Sequence, residues 1–377
     1  MNKTKELRVL SLFDGMACGM LAFQKAGATV SDYYAYENDK YATKTVEHNF
    51  PEIKECGDVF DTDFSKYVDI DYIVGGSPCT YWSICQKKNR ETEASGEGWE
   101  LFSQYVKAVK TVKPKFFIYE NNKSMSKAIK QSVIETFGFE PICINSALVS
   151  AQKRQRLYWV GKRNEDGTYS KVDVKQPEDR GILLRDIIDA EPINTIDGGK
   201  ARTVKAQCQQ TDINNICRYH STYSATGVAE PVRVGGFPKS NGEISTSQGM
   251  RIYSTKGKSV SITANGGGMG AKTGLYAIPV EFENDKPTRA LSPADGKSYH
   301  VYEVKDGLVK IKDGEYPIKL PDGYYIIRKL TVNECKKLQT IPDWYEFPVS
   351  DSRAYKMIGN GWTVDVIAHL IKATFNS

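Results

Sequence analysis

The N-terminal part of the chain alternates between two hydrophobic periods. Apolar runs of strand length stand at 8–13 (RVLSLF), 33–37 (YYAYE), 68–76 (VDIDYIVGG), 115–120 (KFFIYE), 141–149 (PICINSALV) and 156–162 (RLYWVGK). Between the earlier runs lie segments whose apolar positions recur every three to four residues: 19–27 (GMLAFQKAG), 39–50 (DKYATKTVEHNF), 99–112 (WELFSQYVKAVKTV) and 125–138 (MSKAIKQSVIETFG). Gly27 closes the first of these helices, and Asp39 is placed to cap the second. Strand and helix in alternation predict an α/β domain with a doubly wound sheet. From about 180 to 325 helical periodicity fades, and short β-prone runs are broken by Gly, Asn, Asp, Pro and Lys. That predicts a second domain of strands and loops. Helical patterning returns at 330–342 (LTVNECKKLQTIP), where Thr331 and Glu334 have the spacing of a capping box. It continues at 355–375 (YKMIGNGWTVDVIAHLIKATF), a Gly-Asn-Gly loop and an apolar helix. If that helix packs onto the first domain, the β-rich segment is an insertion. The expected domains are 1–180 completed by 326–377, with 181–325 inserted.

Composition narrows this picture. Over 377 residues, 26% are charged and 40% hydrophobic, which suits a globular protein of about two domains. The N-terminus has no apolar core of a signal peptide, and no apolar run approaches the ~20 residues of a membrane span. A cytoplasmic protein is expected. None of the eight cysteines forms a CxxC pair and the four histidines are scattered, so no metal site is expected. Charge is uneven. Residues 201–275 carry nine Lys/Arg against three acids, a balance suited to a polyanion.

Candidate chemistry gathers at strand ends. The first strand runs into FDGMACGM, which puts Gly15 and Gly19 at a strand-to-helix turn where a ligand can approach backbone. The spacing is not GxGxxG. Glu37 ends the second strand, where a doubly wound fold places a carboxylate on ribose hydroxyls, and Asp58 follows in the third unit. With no Lys or Arg beside the turn to grip phosphate, S-adenosylmethionine fits better than NAD or ATP. The strand at 68–76 ends in GGSPCT and the one at 115–120 in YENN, so Cys79 and Glu120 fall at the same edge. Gln152, Arg154 and Arg156 alternate as the chain enters a strand, which predicts one shared face.

Taken together, these residues resemble the DNA (cytosine-5)-methyltransferase family, bacterial and phage type, along nearly the whole chain. The resemblance rests on Phe13-Asp14-Gly15…Gly19, Glu37, Asp58, Pro78-Cys79, Glu120-Asn121, Gln152-x-Arg154-x-Arg156 and Gly359-Asn360, in the family's order. It implies a Rossmann-like S-adenosylmethionine-dependent methyltransferase domain with an inserted target recognition domain. It implies a cofactor held by Phe13, Asp14, Gly15, Gly19, Glu37, Asn38, Asp58, Val59, Pro78 and Asn360. The expected activity is methylation of cytosine C5 in duplex DNA. Cys79 would add to C6, Glu120 would serve N3, Arg156 with Arg154 would bind O2, and the base would be flipped out. Residues 80–98 would form a mobile loop with hinges at Gly96 and Gly98. Ser83, Cys85, Gln152, Arg202, Lys205, Arg251, Lys256, Lys258 and Lys272 are the expected DNA contacts, most of them to phosphate. A monomer is expected. The chain departs from the family at Thr80, Asn122 and Gly361-Trp362-Thr363, the last ending being closer to the animal de novo enzymes. Two other readings stay open here: a tRNA-methylating relative, and a catalytically silent DNA-binding regulator.

Overall fold

The computed structural model describes residues 6–84, 90–188, 194–195, 228–264, 269–270, 272–281, 288–292, 294–375 and 377. The chain forms two compact units, one of residues 1–146, 154–178 and 339–377, the other of 147–153 and 179–338.

The first unit is built on an eight-stranded sheet: β1 (Leu7–Leu12), β2 (Val30–Tyr36), β3 (Lys54–Glu55), β4 (Tyr72–Gly75), β5 (Phe116–Asn122), β6 (Ile142–Asn145), β7 (Gln155–Arg163) and β8 (Tyr169–Lys171). Its order is β3-β2-β1-β4-β5-β7-β6, with β8 beside β7. β1 to β5 run parallel and β7 is antiparallel to its three partners β5, β6 and β8. The predicted helices are present: α1 (Cys18–Ala26), α2 (Lys40–Asn49), α3 (Glu97–Val112) and α4 (Lys127–Phe137). Asp39 caps α2, accepting from the Tyr41 N–H at 3.0 Å, and Gly27 ends α1 in the left-handed conformation. Tyr36, Ile73, Phe102, Tyr105, Phe117, Tyr119, Phe137 and Trp159 belong to one buried cluster. Burial on both faces of the central strands explains why β4 and β5 read as unbroken apolar runs.

The second unit carries a mainly antiparallel sheet of β9 (Asn194–Thr195), β10 (Arg233–Gly236), β11 (Arg251–Ser254), β12 (Leu275–Val280), β13 (Arg289–Leu291), β14 (Ser298–Lys305), β15 (Leu308–Ile311), β16 (Gly314–Pro317) and β17 (Gly323–Arg328). Helix α5 (Val332–Leu338) closes it. Its capping box is formed: Thr331 N–H donates to Glu334 at 2.7 Å, and Glu334 N–H to the Thr331 hydroxyl at 3.1 Å.

Two domain boundaries need correction. Residues 326–338 stay with the second unit, because β17 pairs with both β12 and β14. Residues 147–153 also belong there; Ser259 N–H donates to the Ala151 carbonyl and Lys153 N–H to that of Ser259. The chain returns to the first unit with α6 (Asp351–Asn360) and α7 (Val364–Phe375). Gly359 and Asn360 are the last turn of α6, so the expected Gly-Asn-Gly loop shrinks to residues 361–363. α7 packs against α1, as its apolar pattern predicted. Among the described residues no helix is long and apolar enough to cross a membrane, and no cluster of His, Cys, Asp or Glu could hold a metal ion.

Candidate active site

The turn after β1 is held by carboxylates. Phe13, Gly15 and Ala17 all have positive φ, at 60°, 64° and 58°. A Cβ on Gly15 would meet nothing within 4 Å, so this glycine answers a backbone need and leaves space above it. Its N–H donates to Glu37 Oε2 at 2.9 Å. Glu37 Oε1 accepts from the N–H groups of Asn38 at 2.9 Å and Asp39 at 2.7 Å. Asp58 accepts from the Phe60 N–H at 3.0 Å and from the Asn38 amide at 3.4 Å, and Val59 beside it is buried. Gly19 also meets a steric need. A Cβ there would lie 2.4 Å from the Tyr33 hydroxyl, so it makes room for Tyr33.

Asp14 accepts from Ser11 Oγ at 2.5 Å and Tyr33 Oη at 2.7 Å, while its Oδ2 is buried with no partner among the described residues. Burial, offset in part by those donors, raises its carboxyl to about 6. Glu55, on β3, has both oxygens buried without a partner among the described residues; burial and then the charges of Asp14 and Glu37 raise it to about 7. Sequence reasoning missed Glu55, because a two-residue strand has too little alternation to show its face. Unpartnered carboxylates beside an open glycine turn suit a cationic ligand. S-adenosylmethionine, with its sulfonium and ammonium groups, has that character, and Asp14, Glu37, Glu55 and Asp58 are the carboxylates that could hold it.

The two glycines before Cys79 are steric requirements. A Cβ on Gly75 would stand 2.4 Å from the Leu12 carbonyl; one on Gly76 would stand 2.7 Å from the Glu120 carbonyl and 2.9 Å from its Oε2. β4 and β5 therefore meet closely where their functional ends emerge. Ser77 Oγ and Tyr119 Oη are 2.7 Å apart, and the Asn121 amide donates to both Ser77 and Tyr119. The Cys79 carbonyl accepts from the N–H groups of Trp82 and Ser83 and from the Asn122 amide at 3.4 Å. Asn122, a departure from the family pattern, thus supports the turn that carries the thiol. Pro78 is exposed and Cys79 half-buried. Burial pushes the Cys79 thiol above its ordinary value; the nearby Arg156 charge pulls it down and Glu120 pushes it up.

Glu120 is 9% exposed and held at both oxygens. Arg156 Nε lies 3.1 Å from Oε1, and Trp362 Nε1 donates to Oε2 at 3.0 Å. Arg154 is placed otherwise than expected. It precedes β7, is 4% exposed, and donates from Nη2 to the carbonyls of Gly359 and Gly361 at 3.1 and 2.9 Å. Burial and the neighbouring Arg156 charge lower it to about 10. The shared face predicted for 152, 154 and 156 does not form: Gln152 is fully buried in the second unit, its Oε1 accepting from the Ile262 N–H at 3.4 Å.

The described parts of 80–98 are anchored. Trp82 is 1% exposed and donates to Glu91 Oε2 at 3.0 Å; Glu91 Oε1 accepts from the Gly98 N–H at 3.0 Å. A Cβ on Gly98 would come within 2.7 Å of the Trp82 indole nitrogen, so packing accounts for this glycine where a hinge was expected. Among the expected DNA contacts, Lys256 is exposed, Arg251 and Lys272 are half-buried, and Ser83 is half-buried. Lys258 is a correction: it is fully buried, its ammonium donating to the carbonyls of Ala147, Ser150 and Ile182. Cys85, Arg202 and Lys205 lie outside the described residues.

Comparison with known proteins agrees with this arrangement. The C-5 cytosine-specific DNA methylase family matches residues 7–376. The chain is similar to the orphan methyltransferase M.SPRI of Bacillus phage SPR, 26% identical over 439 residues and covering 97% of both proteins. It is similar to the type II methyltransferase M.HhaI of Haemophilus parahaemolyticus, 26% identical over 377 residues, 97% of this chain and 93% of the relative. Solved structures similar in fold include the Entamoeba histolytica methyltransferase EhMeth, with a TM-score of 0.55 at 13% identity over 99% of this chain and 98% of that one. Another is the S. pombe Dnmt2 methyltransferase, with a TM-score of 0.52 at 14% identity over 97% of each chain. With the sheet order, the carboxylate-lined turn and the Pro-Cys and Glu-Asn strand ends already in place, a match over nearly the full length is decisive: the chain belongs to the C-5 cytosine-specific DNA methylase family and is a DNA cytosine-5 methyltransferase.

Proposed function

We propose that this protein transfers the methyl group of S-adenosylmethionine to C5 of a cytosine flipped out of duplex DNA, through a covalent bond between Cys79 and C6. The observation that carries this reading is the Glu120 carboxylate, fixed between Arg156 and Trp362 on the strand next to the one that presents Cys79. The bound cofactor supplies an electrophilic methyl group; the chain's own residues must make C5 nucleophilic enough to accept it. The Cys79 thiol loses its proton to solvent, and its sulfur adds to C6. N3 takes up a proton from solvent, held there by the Glu120 carboxylate, so that charge does not build up in the ring. C5 then carries the electron density that takes the methyl group. Loss of the C5 proton to a base, with Cys79 leaving as thiolate and the N3 proton released to solvent, restores the ring and leaves Glu120 a carboxylate. Arg156 supports Glu120 and favours the Cys79 thiolate. Glu37, Asp58 and Asp14 would hold the cofactor's ribose, adenine and cationic end. Turning the base out costs about a few kcal/mol, which contacts from the second unit and the 80–98 segment would offset. Lys256, Arg251 and Lys272 remain the described candidates for DNA contact, and the second unit is the proposed reader of the target sequence.

The test is a duplex library containing 5-fluorocytosine, incubated with the protein and labelled cofactor. Fluorine blocks the last elimination. A denaturation-resistant protein–DNA complex that Cys79→Ser cannot form is the expected result. A trap on RNA alone would move the substrate to RNA. A complex that survives in Cys79→Ser would refute the nucleophile.

A further inference from the structure

Trp362 is part of a departure from the family pattern, yet it donates its indole N–H to the carboxylate on which the reaction depends. The bond is 3.0 Å long and ends on Oε2, while Arg156 lies 3.1 Å from Oε1. A Glu carboxylate has a soft terminal torsion. One nitrogen on one oxygen leaves that torsion free; a second donor on the other oxygen fixes the plane of the group.

The segment that carries the indole is itself clamped. The Gly361 carbonyl accepts from Arg154 Nη2 at 2.9 Å and from Gln339 Nε2 at 3.2 Å. The Gly361 N–H donates to the Met357 carbonyl at 2.7 Å. A Cβ on Gly361 would stand 3.1 Å from Cys18 Sγ and 3.2 Å from the Met357 oxygen, so the chain passes closely there. On the far side, the Thr363 hydroxyl lies 2.8 Å from Ser146 Oγ and donates to Gln339 Oε1 at 2.7 Å. Both neighbours of Trp362 are therefore fixed, and the indole starts from a defined place. Buried Arg154 contributes to the same clamp, since it holds the carbonyls on either side of Asn360.

We propose that Trp362 is a positioning residue for methyl transfer, its indole N–H setting the orientation in which Glu120 meets the pyrimidine. The proposal rests on the reaction proposed above and adds a residue to it. A purely structural Trp362 would give its ring a packing site and its N–H a convenient acceptor. The two roles differ in what Trp362→Phe does, since Phe keeps an aromatic ring and loses the donor.

The experiment has a kinetic and a spectroscopic arm, both on the full chain. In single turnover, Trp362→Phe should slow methyl transfer by about tenfold to a hundredfold, the range for losing a hydrogen bond to a charged, reacting group. KM for DNA and for S-adenosylmethionine should stay within about twofold. On a Glu120→Ala background, which leaves the indole no acceptor, the same change should slow the reaction no further, because its route of action is gone. In the second arm, the Trp362 indole N–H resonance of the nitrogen-15-labelled protein is assigned by its loss in Trp362→Phe. It should shift and exchange faster with solvent in Glu120→Ala, with no substrate present. An unmoved resonance overturns the proposal. So does full activity of Trp362→Phe, equal slowing on both backgrounds, or a rise confined to the cofactor KM. A resonance that responds in a protein that methylates no cytosine would instead sink the proposed reaction, and the assignment of Trp362 to catalysis with it.

Discussion

Lys258 separates a structural role from a DNA-binding one. The sequence offers it as a phosphate contact; the structure buries it with its ammonium on three backbone carbonyls, those of Ala147 and Ser150 at 2.8 and 3.0 Å and that of Ile182. It thus staples the 147–153 excursion to the rest of the second unit. Lys258→Met keeps most of the stem volume and removes the charge. Each carbonyl loses a hydrogen bond from a charged group, about 1.5–3 kcal/mol apiece. Against this stands relief of the desolvation of a buried ammonium, several kcal/mol. The net loss expected is about 2–4 kcal/mol, read from urea unfolding. There is a pH signature as well. Burial lowers this lysine below its ordinary 10.5. The unfolded chain therefore binds its proton more tightly, and wild-type stability should gain from this group as pH rises through that window. The decisive control is DNA binding across a salt series. A lost phosphate contact would reduce the slope of log K against log salt by ~0.9. An unchanged slope with reduced stability supports the staple; unchanged stability with a shallower slope would refute it.

Gly76→Ala tests the close approach of β4 and β5. Its Cβ would stand 2.7 Å from the Glu120 carbonyl and 2.9 Å from Oε2, so Glu120 must move. Methyl transfer should fall by about a hundredfold, with about 1–3 kcal/mol lost in unfolding free energy; a variant that keeps its rate would show that the position of Glu120 is unimportant. The Cys79 thiol gives a pH prediction. Because burial and Glu120 hold it above its ordinary 9.0, alkylation of the Cys79 peptide by iodoacetamide, followed by mass spectrometry, should be slow at pH 7 and still rising at pH 9. Glu120→Gln should speed alkylation at pH 7, since one charge opposing the thiolate is gone. Fast, pH-independent alkylation between pH 6 and 8 would contradict both statements.

What could be read from the sequence was local or periodic. Asp39 and the pair Thr331 and Glu334 lie within a few residues of the groups they cap, and both caps form. The alternation of periods marks β1, β2, β4 and β5 and the helices between them, and places Cys79 and Glu120 at one edge. What was misread depends on contacts distant in sequence. An isolated lysine among Gly and Ser looks solvated until its three carbonyl acceptors, as many as 111 residues away, come together. Alternation at 152–156 predicts a shared face only if the strand has begun, and β7 begins at Gln155. The space that Gly19 leaves for Tyr33 is likewise invisible in the sequence, since β2 carries that ring. Trp362 is 242 residues from Glu120, and no spacing rule connects them.

The electrostatics around Cys79 fit a nucleophile that is idle until its substrate arrives. A cysteine beside an arginine usually has a depressed pKa. Here Arg156 is paired with Glu120, so its pull on the thiol is countered by the carboxylate's push, and burial keeps the sulfur protonated. A thiol in that state is protected from oxidation and from chance electrophiles. On the proposed pathway Glu120 and N3 of cytosine come to share a proton. The negative charge beside Arg156 is then spread into the base, and the arginine acts on the thiol less opposed. The base that needs the thiolate thus favours its formation. Arg156 on one oxygen and Trp362 on the other would keep Glu120 placed for this exchange, so on the proposed pathway the departure at Trp362 falls on the group that couples base binding to the nucleophile.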